Sequence, residues 1–176
     1  MPFWRLLLIA VIMTFSWSRS PAQTRFAPAP PAAAQNFAPD AKIQAIATAY
    51  AQDMVDYAQS RYQIQLDGTD QSIEQIEKIA TQLHEAYVKQ PPTEDQLNTF
   101  IKMLGSYTGE VYRKNHGAEW GWVTLNGNRF PGLRRQQSKL FWPWGKARDR
   151  IINGKEDNLF NYYKYLADPD FKTEKK

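Results

Sequence analysis

Residues Leu104–Trp122 read LGSYTGEVYRKNHGAEWGW, and two different periods meet inside this stretch. Leu97, Phe100, Ile101, Leu104, Thr108 and Val111 recur at three- and four-residue steps, the stripe of an amphipathic helix. Thr93 with Gln96 opens that helix as a capping box, and Gly117 is placed to close it as a C′ glycine. From Glu119 the pattern changes. Glu119–Leu125 alternates and is aromatic, Asn126-Gly127 is a strong type I′ hairpin signal, and a second strand pattern follows. A long helix that runs into a hairpin points to an α+β fold.

Upstream, Asp40 is the expected N-cap of a first helix reaching about Tyr62, with Ile43, Ile46, Tyr50, Met54, Tyr57 and Ala58 on one face. An extended piece, Gln63–Leu66, and the Asp67-Gly68 turn follow. Thr69 or Asp70 then caps a second helix with Ile73, Ile76, Ile79, Ala80, Leu83 and Tyr87 inward, and Pro91-Pro92 ends it. Downstream, Leu140–Trp144 reads as a third strand, and Pro143–Asn153 and Glu156–Ala167 read as closing helices separated by Gly154. The expectation is one α+β domain over residues 40–170: three N-terminal helices, a small antiparallel sheet, and one or two closing helices. A charged tail occupies 171–176.

The first residues predict location. Met1–Arg5 carries one positive charge, Leu6–Trp17 is a nearly unbroken apolar run, and Ser20-Pro21-Ala22 puts small residues ahead of a cleavage point. That is the layout of a signal peptide over residues 1–22. The run is about a dozen residues, where a membrane-spanning helix needs roughly 20. The mature chain is therefore expected to be exported, periplasmic or secreted, soluble, and without a transmembrane segment. Gln23–Pro39, QTRFAPAPPAAAQNFAP, has no periodic apolar face and reads as a polyproline-like linker. The chain has no cysteine, so disulfides, thiol catalysis, cysteine metal sites and a lipoprotein anchor are all excluded.

Several constellations could carry function. Gly105 and Gly109 are four apart and share a helix face where another backbone can come close, and Glu110 lies beside it. Glu110 is either a buried carboxylate in a ligand site or a structural one, held by backbone amides or paired with Arg113 at i,i+3. Trp120-Gly121-Trp122 and Trp142-Pro143-Trp144 form two W-x-W pairs. On a strand, residues i and i+2 share a face, so each pair is either a platform for a sugar ring or protein partner, or aromatic core. Pro143 places the second pair at a strand edge or end.

His116 and Glu119 have an H-x-x-E spacing, but the chain has only two histidines and no H-E-x-x-H, so neither a metal nor a cofactor is expected. There is no G-x-S-x-G, no S-x-x-K and no phosphate-cradling glycine loop. A glycoside hydrolase would have to draw its carboxylate pair from Asp67, Asp70, Glu110 and Glu119.

Charge is polarised along the chain. Residues 129–155 hold eight basic residues, Arg134 and Arg135 among them, against the single acid Asp149. Residues 53–95 hold nine acids against Arg61, Lys78 and Lys89. For an exported protein, nucleic acid is not the expected partner. An anionic envelope polymer or an acidic protein face suits the basic region better. The competing reading is that the two regions neutralise each other inside the fold.

The pattern LGSYTGEVYRKNHGAEW, followed by an aromatic strand and later by RIINGKEDNLFNYYKYL, resembles small bacterial domains of unknown function. Those domains share a Gly-x-x-x-Gly-Glu helix, a Gly-x-x-Trp strand entry and an Asn-Gly-x-Glu-Asp closing helix. The matching positions here are Gly105, Gly109, Glu110, Gly117, Trp120, Asn153, Gly154, Glu156 and Asp157, within residues 65–167. The resemblance implies a single α+β domain and no catalytic assignment.

Taken together, these features describe an exported envelope protein that acts as a binding or protein-interaction module, with an inhibitor or immunity-type partner as one form of it. A glycan-binding module using the Trp pairs and a carboxylate-based hydrolase are the alternatives. The candidate ligand or partner surface is Glu110, Glu119, Trp120, Trp122, Trp142, Trp144, Arg134 and Arg135. No residue is assigned to catalysis, and oligomeric state is left open.

Overall fold

The computed structural model describes residues 36–136 and 139–168. The expected signal peptide, residues 23–35 of the expected linker and the tail at 171–176 lie outside the described residues. The elements run β1 (Asn36–Pro39), α1 (Ala41–Tyr62), α2 (Ser72–Lys89), α3 (Glu94–His116), β2 (Glu119–Leu125), β3 (Asn128–Arg135), β4 (Lys139–Phe141), α4 (Pro143–Asn153), a short 3-10 turn (Lys155–Asp157) and α5 (Leu159–Ala167). This is the expected α+β order of helices, antiparallel sheet and closing helices. Among the described residues no helix is long and apolar enough to cross a membrane.

Local chemistry sets most boundaries. The Asp40 side chain accepts from the N–H groups of Lys42 and Ile43 at the start of α1. Thr93 and Gln96 form the reciprocal capping box of α3, and Gly117 closes that helix in the left-handed region (φ 68). Asn126 (φ 51) and Gly127 (φ 79) are both left-handed, as a type I′ turn requires. At the start of α2 the Thr69 hydroxyl accepts the Ser72 N–H at 3.3 Å, so of the two expected caps it is Thr69 and not Asp70 that serves. The Gln71 side chain gives no cap, and Asp70 is turned toward α3 and α5 instead.

Helix α3 is the axis of the domain. Every residue from Met103 to Tyr112 is buried, as befits a helix covered on all sides. It packs against α1, α4 and α5, while α2 packs on α4 and α5. The sheet order is β1-β2-β3-β4, all antiparallel. Trp120 lies opposite Leu133, and Leu133 opposite Phe141, and all three are buried.

Three readings of the sequence need correction. Asn36–Pro39 is not linker but an edge strand, with Phe37 opposite Val123 and Ala38 opposite Trp122. A side chain at Gly121 would run into the Ala38 carbonyl, so the glycine is what lets β1 approach. Second, Trp142-Pro143-Trp144 is not strand. The strand ends at Phe141, and Pro143 opens α4, where a missing N–H is harmless. Third, the last helix begins at Leu159 rather than Glu156. The Asn158 side chain caps it, accepting from the Asn161 N–H at 2.7 Å.

Candidate functional site

Glu110 sits on the buried side of α3 and is 3% exposed. Its Oε1 accepts the Trp120 indole N–H at 2.8 Å and Arg113 Nε at 2.9 Å. Its Oε2 accepts Arg113 Nη2 at 3.1 Å and the Thr48 hydroxyl at 3.3 Å. Both oxygens are engaged, by α1, β2 and the next turn of α3. The Arg113 pairing is the i,i+3 pair expected from sequence, but no backbone amide contributes and the pair does not lie on a solvated face. The bond to Glu110 holds the Arg113 guanidinium above its ordinary pKa despite partial burial. A cavity of about 310 Å³ beside Glu110 is also lined by Thr48, Gln52, Tyr107, Lys114 and Asp67, another of the four carboxylates named from the sequence.

Glu119 does not join Glu110. It pairs with Arg134 across the hairpin at 2.7 Å and borders a separate hollow with Gly117 and Gln136. The two carboxylates therefore do not form the facing pair that glycoside hydrolysis needs. Arg135 donates to the Tyr112 hydroxyl at 3.2 Å. Part of the basic stretch is neutralised inside the fold: Arg150 meets Glu77 at 2.8 Å and Lys146 meets Asp157 at 2.7 Å.

The four tryptophans separate into different roles. Trp120 is 1% exposed, with its ring over Gly109. Trp122 is half-buried, donates to Asp40 at 3.0 Å and carries the Arg129 guanidinium 4.8 Å above its ring. This first pair is therefore not an exposed platform. Trp144 donates to the Ser106 hydroxyl at 2.8 Å and lies 5.9 Å from the Trp120 ring. Trp142 and Trp144 do come together, not as strand neighbours but as walls of one cavity.

That cavity, about 460 Å³, lies where α4 begins beside the hairpin. Trp142, Trp144 and Gly145 form one side, with Ile101 of α3 among the lining residues. Leu125, Phe130 and Pro131 form the hairpin side, and Arg148 is the one charged residue among the described residues that line it. Phe130 is 43% exposed, a large apolar side chain left in water at the mouth. Gly105 sets where α4 begins: a Cβ there would meet the backbone of Pro143 and Trp144 at 2.7 Å, so α4 starts directly on α3.

Sequence reasoning missed a second polar cluster. Asp70 accepts from Tyr163 at 2.6 Å, Asn115 at 2.7 Å and His116 Nε2 at 2.8 Å, joining the α2 entry to the end of α3 and the middle of α5. His84 instead meets the Ile151 carbonyl at 2.8 Å through Nδ1. Among the described residues no three His, Asp or Glu side chains converge to hold a metal ion. The partners of Asp70 are 45 or more residues away in sequence, and no local spacing announces them.

No family model matches the chain, and neither does any curated protein. In three dimensions it is similar to a protein from Bacteroides thetaiotaomicron VPI-5482, solved at 1.50 Å, with a TM-score of 0.58 and 14% identity. The match covers 77% of this chain and 48% of that one, so this chain spans about half the length of its neighbour. At that identity the likeness shows the fold alone.

The site chemistry divides accordingly. Glu110 accepts from donors on α1, α3 and β2, and Asp70 from donors on α3 and α5. The β3–α4 cavity is instead a preformed apolar surface with one cation beside it, the usual make-up of a small binding site.

Proposed function

We propose that this chain is an exported binding module of the bacterial cell envelope and that it receives its partner at the cavity between β3 and α4. The signal-peptide pattern of residues 1–22 supports export. The observation that carries the binding reading is the cavity itself: about 460 Å³ of aromatic and aliphatic wall, entered past the exposed Phe130, with Arg148 as its charged residue. Such pockets take the apolar anchor of a partner, and a nearby guanidinium favours partners that are acidic. The partner class is an envelope protein or an anionic envelope polymer. Glu110 is assigned to the scaffold, because both its oxygens already serve donors of the fold.

The test is capture from an envelope extract at low and moderate salt by the wild-type protein and by Phe130→Ser. Removing an exposed ring leaves the core intact. The expected result is a salt-sensitive component retained by wild type and lost by Phe130→Ser at unchanged melting temperature. Equal retention by both would refute the cavity as the receiving surface.

A further inference from the structure

Eight of the nine glycines have a structural reason to lack a side chain. Gly68, Gly117, Gly127 and Gly154 have positive φ. At Gly105, Gly109, Gly121 and Gly132 an added Cβ would come within 3.0 Å of a neighbour. Gly145 has neither reason. It lies in the first turn of α4 with ordinary φ, and a Cβ there would meet only the Trp142 Cβ, at 3.6 Å. A helical glycine gives up as much as about 1 kcal/mol against alanine. What its bare Cα leaves in return is space, and Gly145 is an exposed wall of the apolar cavity.

We infer that the β3–α4 cavity is a binding site for a single-chain anionic amphiphile, whose apolar chain lies between Phe130, Trp142 and the bare Cα of Gly145 and whose acid group meets Arg148. This rests on the binding-module reading and names the chemistry of the bound group. The volume, about 460 Å³, falls among small-ligand pockets of roughly 300–1,000 Å³. The wall is preformed, because Ser106 fixes the Trp144 indole at 2.8 Å and Trp120 backs it, so little ordering accompanies binding. Arg148 is available. Among the described residues its one ion-pair contact is the adjacent Asp149 at 4.0 Å, and the two side chains are 61% and 49% exposed, an arrangement that holds a guanidinium weakly. A planar guanidinium takes a carboxylate through two hydrogen bonds. Asp157 is occupied by Lys146 and Asn153, and Glu77 by Arg150 and the Leu159 N–H.

The test is calorimetric titration of the full chain with laurate below its micelle concentration, with dodecylamine as the same chain of opposite charge. The expected result is saturable laurate binding, one per chain, at least tenfold tighter than dodecylamine. Gly145→Leu fills the cavity and improves the helix, and it abolishes binding. Phe130→Ser, which removes the opposite wall, weakens it independently. Arg148→Gln weakens laurate about tenfold and narrows its advantage over dodecylamine. Laurate taken up by the apolar run at Leu6–Trp17 would be untouched by Gly145→Leu, so unchanged binding in that variant overturns the inference. Equal affinity for the two amphiphiles overturns it too, as does binding to phosphatidylglycerol vesicles without binding to laurate. If laurate fails while envelope capture still depends on Phe130, the amphiphile is wrong and the binding-module reading stands.

Discussion

The Trp120 indole donates its N–H to Oε1 of Glu110 at 2.8 Å while the same ring rests over the bare Cα of Gly109. Neighbouring residues of one helix thus hold a single tryptophan, one by hydrogen bond and one by making room. The tryptophan in turn fixes β2 against α3. The Gly-Glu dipeptide that looks like a ligand-site signature in the sequence is a helix-to-sheet clamp in the fold.

Removing the carboxylate should therefore unfold the protein more easily. Glu110→Ala leaves the buried indole N–H and the Arg113 guanidinium without their acceptor, and it should cost about 3 kcal/mol. Glu110→Gln keeps an acceptor for the indole and should cost less than half of that. Urea unfolding of both variants checks the order. A Glu110→Ala protein with wild-type stability would remove Glu110 from the scaffold.

Two glycine-to-alanine changes should act in opposite directions. Gly109→Ala drives a methyl into the Trp120 ring and should destabilise by roughly 1–3 kcal/mol, the usual cost of overpacking a filled core. Gly145→Ala meets open space and should be neutral or stabilising by up to about 1 kcal/mol. Melting temperatures measured side by side decide this. Destabilisation by Gly145→Ala would mean that the glycine serves the fold rather than the cavity.

Acid should act through Asp70. Burial alone would raise its carboxyl, but the hydrogen bonds from Tyr163, Asn115 and His116 and the charge of His116 outweigh this and hold it below the ordinary carboxylate range. A carboxyl that is lower when folded contributes stability fully above its unfolded value, near about 3.9, and loses it as pH falls through the folded value. The wild-type protein should lose stability below about pH 4 more steeply than Asp70→Asn. Tyr163→Phe, lacking one donor, should fall between them. Parallel acid limbs for wild type and Asp70→Asn would contradict the cluster's role.

Arg150 is 2% exposed and holds Glu77 at 2.8 Å and the Thr81 hydroxyl at 2.7 Å, while Glu77 also accepts the Leu159 N–H at the start of α5. Arg150→Ala strands Glu77 and opens a cavity, and it should destabilise by about 3–5 kcal/mol. The double variant Arg150→Met with Glu77→Gln should recover much of that, because it removes both charges and refills the space. Chemical denaturation of the single and double variants measures the recovery.

Most of the fold was legible because its signals are local. The apolar stripes of α2 and α3, the Thr93–Gln96 capping box, Gly117 and the Asn126-Gly127 turn each act within a few residues, and each is found where its chemistry puts it, whereas α1 buries Ala47 and Ala51 with Ile43, Met54 and Ala58 and leaves the expected Ile46 exposed. What escaped depends on partners distant in sequence. Asn36–Pro39 has no alternating pattern of its own and becomes a strand only by pairing with Gly121–Thr124. Trp142-Pro143-Trp144 has the spacing of a strand pair, but Pro143 favours a helix start as much as a strand edge, and the close approach at Gly105 selects the helix. The candidate site was half legible. Trp142 and Trp144 were named, whereas Phe130, Gly145 and Arg148 carry no spacing that marks them as neighbours.

The most direct test of the account is envelope capture by Glu110→Gln and Gly145→Leu in parallel, at a temperature where both are folded. The account predicts that Glu110→Gln retains the wild-type partner in full and that Gly145→Leu loses it. Loss of the partner by Glu110→Gln with retention by Gly145→Leu would contradict it and move the binding site to the cavity beside Glu110.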